Sequence, residues 1–340
     1  MGHPCAGIHG HSFQAKVFAE VPASWGGFRG VEGDRLQEAL LKGIHAWNYQ
    51  LLDRLEDNRG DESLALRLRE LLAVPELKCV CIDSRKDQGV SLVGSRLDAW
   101  RHYRFEAAHQ LPHVPVGHKC GNMHGHGFGV KVQFEIPTTQ GTALSAYETL
   151  DLVWAPLHQE LHFACLNDLQ GLENPTSEVL SRWIWNRLYT KIPGLHSIVV
   201  YETDSTGCRF DGQTHRIWKE FSVESALVLC QAPEGDQRRH LHGHSYRVRL
   251  HLEAEIDPHF GWSVDYGDVK TLFSQIHNEM DHHRLDQLKG LTGASPEELL
   301  RWIKVQSHPI LPTLTQVDLF TSPGRGASLH WGQSSPWFPT

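Results

Sequence analysis

The chain has 340 residues, of which 40% are hydrophobic and 21% charged, and its formal net charge is −8 at pH 7. These values are ordinary for a globular protein of two or three small domains. They argue against nucleic acid as a main partner, because they imply no large basic face. No apolar run reaches transmembrane length, the N-terminus lacks the parts of a signal peptide, and the seven cysteines are scattered, so we expect a cytoplasmic protein without a membrane partner.

A repeated tripeptide, His-Gly-His, organises the chain. It begins at His9, His124 and His242, so the copies start 115 and 118 residues apart. A near-constant period indicates tandem repeats. Aligned on this tripeptide, the chain divides into three units, which cover residues 1–97, 98–212 and 213–340.

The first unit begins directly at its His-Gly-His strand. Its pattern predicts helices near 33–55 and 62–72 and a strand near 77–83. The strand that opens the other two units is missing from it. Either the fold tolerates this loss, or the natural start lies upstream of Met1.

The second and third units share one order of elements, β-β-α-α-β-β. Short strands with open edges need neighbours. We therefore predict an α+β fold in which the three units close into one antiparallel barrel with the helices outside. Apolar alternation and helix-start signals predict, in the second unit, strands 101–111 and 123–136, helices 145–166 and 176–189, and strands 197–202 and 208–211. In the third unit they predict strands 215–230 and 240–256, helices 266–280 and 296–305, and strands 317–321 and 327–331.

Three histidines of the second unit form a candidate metal site. Residues i and i+2 of a strand face the same way, so His124 and His126 point to one side, and His109 lies on the strand expected to pair with theirs. Three imidazoles with an open fourth position are a ligand set that catalytic zinc uses. The alternative is a group of histidines without metal. Cys120, nearby, is either an activated thiol or a small buried side chain.

Three stretches, residues 105–136, 171–178 and 201–208, resemble the 6-carboxytetrahydropterin synthase branch of the 6-pyruvoyltetrahydropterin synthase family. The resemblance covers nearly all of the second and third units and the first unit more loosely. It implies the tunnelling fold (T-fold), in which ββααββ units trimerise into a barrel and trimers often stack in pairs. The chain would then be a pseudo-trimer, with a homodimer of pseudo-trimers as one option.

The resemblance also implies roles for individual residues. His109, His124 and His126 would bind Zn²⁺, and Cys120 would be the general base. Glu202 would hold the pterin ring, because a carboxylate can accept two hydrogen bonds from an amide-like N–H edge.

Further residues of the second unit would surround the substrate. By the same resemblance, Thr176 and Thr203 would line the pterin pocket. Lys119, His113 and His118 flank the site and are candidates to meet the triphosphate, the alternative being solvated surface residues.

The family also needs an Asp-His pair at the end of the first helix. The second unit has His162 and Phe163 there, and phenylalanine cannot transfer a proton. The third unit has the pair, as Asp281 and His282. We therefore expect one composite active site per chain, with the zinc ligands, Cys120 and Glu202 from the second unit and the pair from the third; the alternative is an inactive relative.

The other positions of the third unit depart from the family pattern. Ser225 is expected at the place of the first zinc histidine, Arg238 at that of the cysteine and Phe320 at that of the pterin-binding glutamate. The first unit keeps Cys5, His9 and His11. In it, Asn48 and Tyr49 stand at the Asp-His positions, and Asp83 falls near the glutamate position.

The resemblance implies 7,8-dihydroneopterin triphosphate as the substrate. In the carboxy branch, the products are 6-carboxytetrahydropterin, acetaldehyde and triphosphate, and the pathway is the synthesis of queuosine-type 7-deazapurines. Two alternatives stay open: an enzyme of the same fold that makes 6-pyruvoyltetrahydropterin, and a zinc- or pterin-binding pseudoenzyme that serves as a scaffold.

Overall fold

The computed structural model describes residues 10, 12–52, 60–136, 143–291 and 293–338. The six helices of these residues are α1 (Glu32–Ile44), α2 (Asp61–Leu71), α3 (Ala143–Leu161), α4 (Ser177–Leu188), α5 (Tyr266–Met280) and α6 (Pro296–Ser307). The twelve strands are β1 (Gln14–Ala19), β2 (Leu77–Arg85), β3 (Gln88–Val93), β4 (Arg96–His109), β5 (His124–Glu135), β6 (Ala164–Cys165), β7 (Leu195–Thr203), β8 (Thr206–Phe210), β9 (His215–Leu227), β10 (His242–Glu253), β11 (Leu314–Ser322) and β12 (Arg325–His330).

The strands form one continuous sheet. Its order is β1-β2-β3-β4-β5-β7-β8-β9-β10-β11-β12, with all neighbours antiparallel, and the short β6 pairs with β4 in parallel. The predicted antiparallel sheet with helices is thereby confirmed. Among the described strands, β1 and β12 stand at the two ends of the path and no pairing joins them, so the closed barrel stays a prediction.

The helices cover one face of the sheet because the strands alternate apolar and polar side chains. On β5, Val130, Val132 and Phe134 belong to the apolar core beneath α3 and α4, whereas Lys131 and Gln133 point to the other face. A second apolar core lies beneath α5 and α6 of the third unit. The two cores fix the strand ends that carry the candidate site.

The units correspond at an unusual backbone position. Tyr49, Phe163 and His282 have φ angles of 57°, 62° and 58°, a left-handed conformation that few non-glycine residues adopt. In each unit this residue closes the turn after the first helical segment. This shared conformation supports the alignment of Tyr49 and Phe163 with His282.

Two predictions for the first unit need correction. No strand is predicted at 88–93, where β3 extends the sheet from β2 to β4. The predicted helix 33–55 ends as α1 at Ile44, followed by one 3-10 turn; its last residues, 53–55, lie outside the described part. In the described residues, no helix has the length and apolar character needed to cross a membrane.

Candidate metal centre and adjoining pocket

The three histidines predicted as metal ligands meet at one end of a hairpin. His109 closes β4 and pairs directly with His124, the first residue of β5, while His126 lies one pleat further along. The ligand nitrogens of the three side chains all lie within 4.8 Å of one another. His109 is buried, and the other two are half-buried.

Hydrogen bonds orient two of these rings with Nε2 towards the centre of the group. The Nδ1 atom of His109 lies 3.2 Å from the carbonyl oxygen of Pro175, and that of His124 lies 2.8 Å from the carbonyl oxygen of Asn122. A ring that donates from Nδ1 has its lone pair on Nε2, which is the usual arrangement of a metal-bound histidine.

Two buried nitrogens of this group have no hydrogen-bond partner among the described residues. They are Nε2 of His109 and Nε2 of His126. A buried polar atom without a partner is costly, and a metal ion would satisfy both atoms. Three neutral imidazoles with an open position match the ligand set of catalytic zinc, so the residues fit the ion.

Glu202 adjoins the histidines from β7. One carboxylate oxygen lies 3.6 Å from Nε2 of His126, and the other accepts a hydrogen bond from the Ser177 hydroxyl at 2.5 Å. Ser177 is the first residue of α4, so this helix fixes the carboxylate. Sequence reasoning missed Ser177, because only the packing of α4 on β7 brings it to the site.

Cys120 lies on a one-turn 3-10 helix, Lys119–Gly121, between the two strands of the hairpin. Its thiol is half-buried. Burial, helped by the negative charges of Glu202 and Asp265, raises the pKa of Cys120 above its usual value. The thiol is therefore protonated at neutral pH unless a positive charge comes close.

A loop of the third unit covers this side of the pocket. The Thr176 hydroxyl donates to the Gly261 carbonyl at 2.6 Å, and the Ser263 amide and hydroxyl both donate to Glu178. Burial raises the pKa of Glu178 to about 7. The pocket is thus built at the junction of two units.

The other residues predicted to contact the substrate differ in their exposure and in the contacts that they already make. Thr176 is buried and caps α4, so its hydroxyl is already engaged at both ends. Thr203 lies at the exposed β7–β8 turn and bonds Thr206 at 2.7 Å. Lys119 is exposed beside Cys120, and His113 stacks on His259 of the third unit.

The Asp-His pair of the third unit lies elsewhere within the chain. Asp281 and His282 are hydrogen-bonded at 2.9 Å and follow the C-terminal end of α5, where both also bond the backbone of Glu224. The opposite end of α5 begins at Asp265, beside the Cys120 turn. A helix of this length spans about 22 Å, so the structure does not bring the pair to Cys120 of the same chain.

Strand pairing corrects two alignments in the third unit. His242 pairs with Leu227, as His124 pairs with His109, so Leu227 and not Ser225 occupies the place of the first zinc ligand. Phe320 pairs with Gly326, as Tyr201 pairs with Gly207. Thr321, and not Phe320, therefore stands at the position of Glu202.

The equivalent site of the third unit keeps two of the three histidines, His242 and His244, and lacks the other three of the five groups. Leu227 cannot bind a metal, Thr321 cannot accept two hydrogen bonds as a carboxylate does, and Arg238 stands in place of the cysteine. Arg238 forms ion pairs with Asp236 and with Asp34 of the first unit. The first unit's Cys5, His9 and His11 lie outside the described residues.

Comparison with known proteins agrees with this geometry. The family model for 6-pyruvoyl tetrahydropterin synthase matches the chain twice, over residues 99–213 and 216–330. These two matches cover more than half of the chain. The protein therefore belongs to the 6-pyruvoyl tetrahydropterin synthase family.

Individual relatives align with single units. A 6-carboxy-5,6,7,8-tetrahydropterin synthase of Synechocystis sp. is 36% identical over 118 residues, which are 33% of this chain and 90% of that protein. The human 6-pyruvoyl tetrahydrobiopterin synthase is 35% identical over 78 residues, 22% of this chain and 50% of that protein. The structure of the Caenorhabditis elegans 6-pyruvoyl tetrahydropterin synthase aligns over 34% of this chain and 95% of its own, with 18% identity and a TM-score of 0.32.

Proposed function

We propose that the protein is a zinc-dependent 6-carboxytetrahydropterin synthase. It converts 7,8-dihydroneopterin triphosphate to 6-carboxytetrahydropterin, acetaldehyde and triphosphate, for the synthesis of queuosine-type 7-deazapurines. The observation that carries this proposal is the group of His109, His124 and His126 next to Glu202 and Cys120. The likeness to the Synechocystis protein, which spans most of that protein, supports the carboxy branch.

Each of the site residues of the second unit has a role in this proposal. Glu202, fixed by Ser177, accepts hydrogen bonds from the N–H edge of the pterin ring, which orients the side chain of the substrate. Cys120 removes a proton from that side chain as general base. Zn²⁺, when held by the three histidines, supplies a positive charge that polarises a substrate hydroxyl or carbonyl group. Lys119, exposed beside the cysteine, faces the triphosphate.

Asp281 and His282 act in this proposal on the Cys120 site of a second copy of the chain. His282 is 77% exposed, and Asp281 fixes its ring through Nδ1, which leaves Nε2 free to exchange a proton. Since α5 separates the pair from Cys120 of its own chain, a homodimer is the arrangement that unites them. Chains carrying Cys120→Ala and His282→Ala, each inactive alone, should regain turnover when mixed under conditions that exchange subunits.

The direct test is product analysis. Purified, zinc-loaded protein should release acetaldehyde from 7,8-dihydroneopterin triphosphate, and Cys120→Ala should abolish this release while keeping its zinc. A 6-pyruvoyl product without acetaldehyde would assign the protein to the pyruvoyl branch. No turnover by protein that contains zinc would favour the pseudoenzyme.

A further inference from the structure

Two polar contacts through His118 link the third unit to the turn that carries Cys120. The carboxylate of Asp265 has one oxygen 3.3 Å from Nε2 of His118. The Nδ1 atom of the same ring accepts the backbone N–H of Cys120 at 3.2 Å. His118 is thereby the N-cap of the 3-10 turn on which the cysteine lies.

The two contacts of His118 require the ring proton to be on the same nitrogen. Since Nδ1 of His118 accepts the Cys120 amide, the ring proton must lie on Nε2, which faces Asp265. The carboxylate thus favours the tautomer that the turn requires. Its other oxygen accepts the amides of Gly267 and Asp268 and caps α5, so helix α5 fixes the carboxylate in turn.

The junction between the third and first units shows what changes when the cysteine is absent. There, Arg238 replaces Cys120, and Asp236 caps the turn by accepting the Arg238 amide at 2.9 Å without a histidine. The helix that faces it, α1, begins after Val31, which has no side-chain cap. Cysteine, histidine and aspartate are therefore present together at one junction and replaced together at the other.

We propose that Asp265 is a positioning residue for Cys120, acting through His118 across the junction of the second and third units. This inference deepens the proposed function, because it rests on Cys120 as the general base. The contribution of the third unit to the site of its own chain is then Asp265, at the start of α5.

The charges around the Cys120 thiol limit how the proposal can be tested. The groups that face Cys120 are the carboxylates of Glu202 on β7 and Asp265 at α5, and both raise the pKa of Cys120 together with burial. Lys219 on β9 faces the same two carboxylates. Any substitution that removes the Asp265 charge therefore also changes the reactivity of the thiol, so the test must measure one substitution with and without His118.

The test is a double-mutant cycle that measures Asp265→Asn in the native protein and in the His118→Asn variant. The substituted side chain has one oxygen, which can still cap α5, and its NH2 group then faces the Nε2–H of His118 and cannot accept it. Alkylation of Cys120 by iodoacetamide, followed by peptide mass spectrometry with the exposed Cys230 as internal reference, needs no substrate. We expect Asp265→Asn to change the alkylation rate roughly 2- to 10-fold more in the native protein than in the His118→Asn variant, the range that one lost polar contact produces.

The His118→Asn background isolates the histidine. There, the amide oxygen can cap the turn alone, as Asp236 does in the third unit, so Asp265→Asn should act only through the lost charge. An effect of equal size in the two backgrounds would overturn the proposal. Asp236→Asn, which changes the turn cap of the third unit, should leave Cys120 alkylation unchanged.

Turnover supplies the second readout. Asp265→Asn should lower kcat roughly 10- to 100-fold with little change in KM, as expected for a misplaced catalytic group. Equal kcat in Asp265→Asn and the native protein would refute the positioning role. If the native protein shows no turnover, the proposed function fails, while the alkylation comparison still decides whether Asp265 positions Cys120.

Discussion

The hairpins of the second and third units share one backbone and differ in chemistry. His124 pairs with His109 in one, and His242 pairs with Leu227 in the other. The turns between the strands both contain a capped 3-10 helix, which presents Cys120 in the second unit and Arg238 in the third. In a trimer of identical chains every site must keep all its parts, whereas fused units can change one by one. The comparison predicts that one hairpin binds metal and the other contributes to stability.

The largest expected effect is on metal binding. His109→Leu copies the third unit's arrangement and should abolish both zinc binding and turnover, because two histidines remain where catalytic zinc needs three protein ligands. His242→Ala should change neither property. Zinc content by plasma emission spectroscopy checks this, and loss of zinc in His242→Ala would contradict the assignment.

The reverse substitution sharpens the same comparison. Leu227→His restores a third imidazole opposite His242, next to His244. We expect the zinc content to rise above that of the native protein, without a second active centre, because Arg238 and Thr321 still stand in place of Cys120 and Glu202. An unchanged zinc content in a folded variant would mean that more than the third ligand has been lost.

A smaller effect is expected at the pterin-binding position. Glu202→Gln keeps the shape but loses the charged acceptor, so kcat/KM should fall roughly 10- to 100-fold, the contribution of a hydrogen bond to a charged group. Thr321→Ala, the matched change in the third unit, should leave kcat/KM unchanged. Steady-state kinetics measure both, and equal losses would contradict the asymmetry of the two sites.

The pH dependence of the free energy of unfolding tests whether the buried carboxyl of Glu178, at the junction of the second and third units, has a raised pKa. Burial raises the pKa of Glu178 from 4.5 to about 7. The native state therefore binds this proton more tightly than the unfolded state, and the free energy of unfolding falls as pH rises from about 4.5 to about 7. Glu178→Gln should remove this decrease and be more stable than the native protein at pH 8, by roughly 2–3 kcal/mol at most.

Urea unfolding at several pH values measures the difference. Glu297→Gln, at the matching position of α6, should keep the native pH profile. A Glu178→Gln protein with the native slope between pH 4.5 and 7 would show that the carboxyl titrates normally.

The smallest effect is expected at the ion pairs of the third unit's turn. Arg238→Ala removes the contacts with Asp34 and Asp236, which are partly exposed. Exposed ion pairs contribute little, so the free energy of unfolding should fall by about 1 kcal/mol or less. Turnover should remain native, and a large loss of activity would mean that this turn takes part in the chemistry.

The sequence was sufficient to predict that the three histidines meet and to predict most elements. His109, His124 and His126 could be predicted because strand alternation puts i and i+2 on one face and a hairpin brings the third residue alongside. The same alternation explains the error at Ser225: it shares a face with Leu227, so periodicity cannot separate them, and only the pairing with His242 decides. Phe320 and Thr321 are neighbours on β11, and the pairing of Phe320 with Gly326 decides between them.

Contacts between units could not be predicted from local patterns. Asp265 could be recognised as a helix cap, since it precedes α5, but its second contact, to His118, exists only because two units pack together. The separation of Asp281 from Cys120 likewise depends on which end of α5 faces the second unit. Such relations arise from packing, and no spacing along the chain encodes them.

Our central claim is that, among the described residues, the histidines of the second unit bind zinc and those of the third unit do not. Anomalous X-ray diffraction at the zinc edge, from crystals of the native protein, tests this most directly. We predict a strong peak bounded by His109, His124 and His126 and none beside His242 and His244. A peak of equal height at His242 and His244, or none beside His109 in zinc-loaded protein, would contradict the account.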